Sequence, residues 1–251
     1  MTLAARTKLA KTAVPRNKSL PATMNQFDFL KQTPMFAEIN DSQLRLIMQD
    51  VQTRQFKTGQ IIFHEGDAGD VLYLVRSGQV RIYINGVDGS ETSVILCGRP
   101  GDIFGELAVI DGLARSASAI ALGHTVLYTF SREAFRAHMR RCPQLALNFM
   151  KMLSQRVRYN TKQMDSFASM DAPRRLARKL LELAQGYGRV TPQGVAIQLA
   201  LNQSHLASLI GATRERTNKC LREFREKSWI SLQDGTIFIL DPEALRMEIN
   251  R

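Results

Sequence analysis

Cysteine is scarce. Cys97, Cys142 and Cys220 are odd in number and far apart in a chain of 251 residues. That excludes a disulfide framework, a zinc finger and a cysteine-ligated iron–sulfur cluster, and it fits a reducing compartment. Long apolar runs are also missing. The longest, such as residues 71–75, are strand-sized, whereas a membrane-spanning helix needs roughly 20 apolar residues. No membrane association is expected, and a cytoplasmic location is. The four histidines, His64, His124, His138 and His205, form no cluster with Cys or acidic residues, and no nucleophile elbow, P-loop or metal motif is present. An enzyme and a metal site are therefore not expected, and His205 reads as a surface or phosphate-contact residue. Acidic residues are too few to balance the basic ones: 23 against 34 gives a net charge of +11, which points to a polyanionic partner, nucleic acid first.

The basic excess sits at the ends. Residues 1–22 carry five Lys/Arg and no acid, residues 23–170 carry +2, and residues 171–251 carry +4. The first 22 residues lack the apolar core of a secretory signal and read as a disordered tail, with a transit peptide as the alternative. From 23 to 50, Phe36, Ile39, Leu44, Ile47 and Met48 recur at helical spacing. From 51 to 130 the pattern changes to short β-rich runs (60–64, 71–76, 79–84, 91–96 and 124–130). Glu65-Gly66-Asp67, Ser77-Gly78, Asp88-Gly89 and Pro100-Gly101-Asp102 separate them, as in a barrel or jelly roll. Ser131 can cap a short helix, and Pro143 is suited to the first turn of a long one reaching about Met170. Within it Ala146, Met150, Leu153, Val157, Asn160, Met164 and Phe167 alternate by four and three residues. This is a heptad seam, read as a dimer interface in preference to packing within the chain, because Arg156, Arg158, Lys162 and Asp165 flank it. Asp171-Ala172-Pro173 breaks the helix and marks a domain boundary. Beyond it the pattern reads helix (174–185), a turn at Gly186-Tyr187-Gly188, a strand near 195–197, two helices, and two strands around Gln233-Asp234-Gly235.

The two C-terminal helices carry the clearest chemistry. Ala207 is small where two helices approach, and Gly211 can take the left-handed turn between them. Leu206, Ile210, Thr217, Leu221 and Phe224 supply a buried side. Thr213 can cap the second helix, which places Arg214 and Glu215 in its first turn, where a recognition helix meets base edges. Arginine pairs bidentately with guanine and glutamate accepts from cytosine N4. Arg216, Lys219 and Arg222 can add base or phosphate contacts, and the hairpin at 233–235 would be a wing along the backbone. The competing reading is a helical hairpin with a charged solvent face. The cap, the Arg/Glu pair, the wing and the basic excess together favour DNA.

Gly105-Glu106-Leu107-Ala108 precedes Arg115-Ser116-Ala117 across a short segment, 111–114. Backbone N–H groups beside a glycine, with an arginine close by, suit a phosphate, and a glutamate next to the glycine suits a sugar hydroxyl. A surface salt bridge between Glu106 and Arg115 is the bland alternative. The motif resembles the phosphate-binding cassette of cyclic-nucleotide-binding domains. With the long helix, the break and a helix-turn-helix opened by Arg-Glu, residues 25–245 resemble the catabolite activator group of the CRP/FNR superfamily.

The resemblance implies an α+β protein. It has an N-terminal β-roll (23–142), a dimerisation helix (143–170) and a C-terminal winged helix-turn-helix (171–251). It implies a bacterial transcription regulator, working as a homodimer on a palindromic operator, responding to cAMP or cGMP and contacting RNA polymerase. Glu106 would take the ribose 2′-hydroxyl. Arg115 and Ser116 would hold the phosphate, with backbone at Gly105 and Leu107. Asn160 and Thr161 would face the purine, and Thr213, Arg214, Glu215, Arg216 and Lys219 would serve DNA. Two departures bear on specificity. Asn160 both donates and accepts, so it suits adenine or guanine. Lys219 stands where the group has arginine, offering a point charge instead of a fork. The same architecture working without a nucleotide, or with another small effector, is the alternative.

Overall fold

The computed structural model describes residues 24–86, 89 and 91–251, so the N-terminal 22 residues and Asp88 lie outside it. Helices α1 (Gln26–Gln32) and α2 (Asp41–Gln49), with a 3-10 turn at Pro34–Phe36 between them, open the chain. Asn25 and Asn40 cap them by accepting from the N–H of Asp28 and Gln43. Eight strands follow: β1 (Gln52–Phe56), β2 (Ile61–Phe63), β3 (Val71–Ser77), β4 (Val80–Asn85), β5 (Glu91–Cys97), β6 (Ile103–Phe104), β7 (Ser118–Ala121) and β8 (Thr125–Ser131). The short helix α3 (Glu106–Asp111) lies between β6 and β7.

The strands form two antiparallel sheets, ordered β1-β8-β3-β6 and β2-β7-β4-β5. Phe63, Tyr73, Val75, Val80, Phe104 and Leu127 pack between them. Helix α4 (Arg132–Arg141) and the long helix α5 (Pro143–Ser169) close the roll, with Phe135, Leu145 and Phe149 seated on the N-terminal helices through Phe29, Met35 and Phe36. Ser131 accepts from Ala134 N–H as the cap of α4, and Pro143 occupies the first turn of α5, as their sequences suggest.

Helix α5 ends at Met170 and Asp171, both extended, and Asp171 then caps α6 (Ala172–Tyr187). The C-terminal domain continues with β9 (Gly188–Thr191), β10 (Gly194–Ile197), α7 (Gln203–Ile210), α8 (Arg214–Glu226), β11 (Ile230–Gln233), β12 (Thr236–Ile239) and α9 (Pro242–Ile249). Its sheet runs β11-β12-β10-β9, and Leu176, Leu180, Leu206, Ile210, Leu221, Phe224 and Ile239 share one core with it.

One expectation fails here. Gly186 and Tyr187 are not a turn; they finish α6, and Gly188 opens β9. Tertiary contact decides it. The Tyr187 hydroxyl donates to the Leu96 carbonyl at 3.0 Å, and the Arg99 guanidinium lies against both the Tyr187 ring and Gly186. Four strands went unanticipated: β1, β6, β7 and β9.

A polar seam holds the C-terminal domain on the β4–β5 hairpin. Ser93 and Ser208 share a buried hydrogen bond of 2.6 Å, and Gln79 bonds the backbone at Gln198 and Ala200 at 2.9 Å each.

Candidate effector and DNA-binding sites

The cassette is built around Gly105. It takes the left-handed conformation (φ 72°) that ends β6 and starts α3, a conformation that glycine adopts without cost. Its carbonyl accepts from Arg115 Nη1 at 2.7 Å, while Arg115 Nη2 donates to the Val71 carbonyl at 2.7 Å. The backbone of Arg115 is fixed as well. Gly66 N–H donates to its carbonyl and its own N–H donates to Asp67, so the turn at 65–67 positions this side chain. The guanidinium stacks 4.3 Å from the centre of the Phe63 ring. A β-carbon at the buried Gly69 would sit 2.1 Å from that of Ala108, so only glycine lets this loop close on α3 and Arg115. Among the described residues, Arg115 Nε is buried and has no hydrogen-bond partner. Burial pulls the Arg115 pKa below the ordinary arginine value.

The bland alternative, a surface pair between Glu106 and Arg115, does not form. Glu106 is 3% exposed, and its carboxylate accepts from Arg156 of α5 at 2.7 Å; Arg156 also donates to the Ile103 carbonyl at 2.7 Å. Burial, the largest single effect, lowers the Arg156 pKa, but Glu106, Cys97 and Asp102 together outweigh it and hold the group above its usual value. Arg156 is the site residue that the sequence reading missed, placing it only on the polar flank of the seam. The available signal was its position one helical turn before Asn160. Asn160 and Thr161 are exposed on α5, with the Thr161 hydroxyl turned back to the Val157 carbonyl. Ser116 and Leu107 are exposed at the cassette.

In the C-terminal domain Gly211 (φ 58°, ψ 47°) ends α7 in the left-handed conformation, and Thr213 caps α8 by accepting from Arg216 N–H. Thr217, Cys220, Leu221 and Phe224 face the core, which leaves Arg214, Glu215, Arg216 and Lys219 exposed on the opposite side. Asp234 and Gly235 both take positive φ in the β11–β12 turn, the geometry of a tight two-residue hairpin. His205 is not a free surface residue. It completes a capping box with Asn202 and lies half-buried toward Arg81 and Glu91 of the β4–β5 hairpin; burial is the main cause of its lowered pKa.

Residues 53–142 match the cyclic nucleotide-binding domain family, and residues 174–248 match the Crp-like helix-turn-helix domain family. The CRP-like cAMP-activated global transcriptional regulator of Mycobacterium tuberculosis is 32% identical over 220 residues, 87% of this chain and 97% of that protein. The chain belongs to the CRP/FNR family. It is a DNA-binding transcription regulator in a family of regulators, not of enzymes. The cyclic AMP receptor protein of Thermus thermophilus is likewise 32% identical, across 86% of this chain and 96% of its own. The solved structure of the c-di-GMP responsive global regulator of Xanthomonas campestris shares the fold, with a TM-score of 0.70 at 22% identity, covering 80% of this chain and 99% of that one.

Proposed function

We propose that this regulator is switched by a cyclic nucleotide, cAMP or cGMP, seated between the cassette and α5. The observation that carries this reading is the convergence at Gly105. Arg115 and Glu106 meet there as one cation and one carboxylate, both buried, with Arg115 Nε unpartnered among the described residues. That donor set fits a sugar phosphate: Arg115 and Ser116, with backbone at Gly105 and Leu107, for the phosphate, and Glu106 for the ribose 2′-hydroxyl. Arg156 ties Glu106 to α5 one turn before Asn160 and Thr161, the residues that would face the purine. The protein works as a homodimer across the seam of α5, on a roughly palindromic operator. Residues 23–142 sense, 143–170 dimerise and 171–251 bind DNA. Arg214 and Glu215 read bases, with Thr213, Arg216 and Lys219 in support, and RNA polymerase is the expected downstream partner.

A second reading, another effector or none, draws on the same arginine. Both terminal nitrogens of Arg115 are already held by carbonyl groups, so a phosphate must compete for them or use the remaining Nε. Calorimetric titration of the full-length protein with cAMP and with cGMP separates the two. Saturable binding of one nucleotide per protomer, lost in Arg115→Ala, supports the proposal. Absence of binding to either favours the second reading, and unchanged binding by Arg115→Ala would place the nucleotide away from the cassette.

A further inference from the structure

One stripe of α5 joins the cassette to the DNA-binding domain. Arg156, Tyr159 and Gln163 follow at intervals of three and four residues and therefore share a face, beside the seam that carries Asn160 and Met164. Arg156 reaches into the sensor to Glu106. Tyr159 and Gln163 reach across to α6. The Lys179 ammonium donates to the Tyr159 hydroxyl at 3.1 Å and to the Glu182 carboxylate at 2.9 Å, while Gln163 Nε2 donates to the same hydroxyl at 2.6 Å. Lys179 is 4% exposed, and burial lowers its pKa from the ordinary lysine value. A buried ammonium depends on its partners, so Tyr159 and Glu182 fix Lys179 and with it one link between the two helices; Arg175, which donates to the Met170 carbonyl and lies over the Phe167 ring, makes another. The network spans the extended pair Met170–Asp171, the break between α5 and α6.

The state being held can be read from the cassette. Glu106 gives an oxygen to Arg156, and Arg115 gives both terminal nitrogens to carbonyl groups. Arg156 takes one Glu106 oxygen and leaves the other for a ribose hydroxyl, whereas a phosphate that engages the terminal nitrogens of Arg115 must displace the Gly105 and Val71 carbonyls, and on that ground the arrangement is taken as the resting one.

We infer that Tyr159, Lys179 and Glu182 are positioning residues. They form a clasp that holds the DNA-binding domain in its low-affinity orientation, and a nucleotide at Glu106 and Asn160 works against that clasp through α5. The nucleotide half of this statement rests on the function proposed above; the clasp does not.

The test uses full-length wild type, Tyr159→Phe and Lys179→Met, with a duplex that the protein itself selects from a random-sequence pool. DNA affinity is read by fluorescence anisotropy without nucleotide and with saturating cAMP or cGMP. Without nucleotide, both variants bind DNA about fivefold or more tightly than wild type, and the gap between the nucleotide-free and nucleotide-bound conditions narrows by the same factor. A cooperative melt confirms that each variant is folded; if Lys179→Met is not, Tyr159→Phe, which lacks only one hydroxyl, decides. Unchanged or weaker nucleotide-free affinity in a folded Tyr159→Phe overturns the clasp. If wild type responds to neither cAMP nor cGMP at saturation while the variants still gain affinity, the nucleotide reading falls and the clasp stands.

Discussion

Glu106 and Arg156 show why a buried ion pair is best judged by what remains when half is removed. With both present the pair gains Coulomb energy that roughly offsets its desolvation; with one gone, the other is left charged and unmatched. Arg156→Met leaves the Glu106 carboxylate buried and should cost about 3 kcal/mol of unfolding free energy. Glu106→Gln in that background should restore much of it, because the amide carries no charge. Denaturant unfolding of the two single variants and the double checks this; additive losses would mean the carboxylates and guanidinium act independently. This pairing was not legible in the sequence. Its partners are 50 residues apart, and only the fold makes them neighbours. Arg115 and Gly105, in contrast, lie in one short motif, and the structure brings them together at 2.7 Å.

Elements were legible where local chemistry agreed with tertiary demand. Pro143, Ser131, Asp171 and Thr213 all mark real helix starts, because each satisfies an otherwise unpaired backbone N–H or needs none. Strand β1, QTRQF, is mostly exposed and has no alternating pattern; it exists because it pairs with β8 from Gln52↔Thr129 to Phe56↔Thr125. Strand β7, Ser-Ala-Ile-Ala, is too small in side chain to stand out and is held between β2 and β4.

Helix α7 carries a prediction at this scale. His205 faces Arg81 and Glu91 of the β4–β5 hairpin and Asn202 on its own side, and burial, then Arg81, lowers its pKa below the ordinary 6.5. The docked form thus disfavours the charged imidazole. Docking of α7 on the hairpin is intact above pH 6.5 and weakens as the pH falls through that value. Protection factors across 203–210, corrected for the slower intrinsic exchange at low pH, should fall between pH 7.5 and pH 5.5, and His205→Gln should abolish that fall. Gly211→Ala is a second test. It forces a β-carbon onto φ +58° and to 3.0 Å from the Phe167 ring, so a loss of about 1 kcal/mol or more is expected on melting.

At the scale of the molecule, α5 leaves Met150, Val157 and Met164 at 53%, 63% and 70% exposed. Those large apolar side chains lie on one seam, at the heptad positions read from the sequence, and the proposed homodimer would cover them. Val157→Glu together with Met164→Glu should give a monomer in analytical ultracentrifugation. Its affinity for a two-half-site duplex should fall by about a hundredfold or more as bivalence is lost; a dimer of unchanged affinity would move the interface elsewhere.

The two-part architecture was legible from the switch between strand periodicity and helical periodicity near Ser131 and the break at Asp171-Ala172-Pro173. The seating of one domain on the other was not, since Ser93–Ser208 and the Tyr159–Lys179 clasp join distant segments without any local signal.

The measurement that bears most directly on the molecule as a switch is the affinity of the wild-type protein for its selected duplex, at fixed salt, without nucleotide and with saturating cAMP or cGMP. At least one nucleotide should tighten binding by about fivefold or more, and Arg115→Ala should show no such change. Equal affinity in all three conditions would contradict a nucleotide-driven switch.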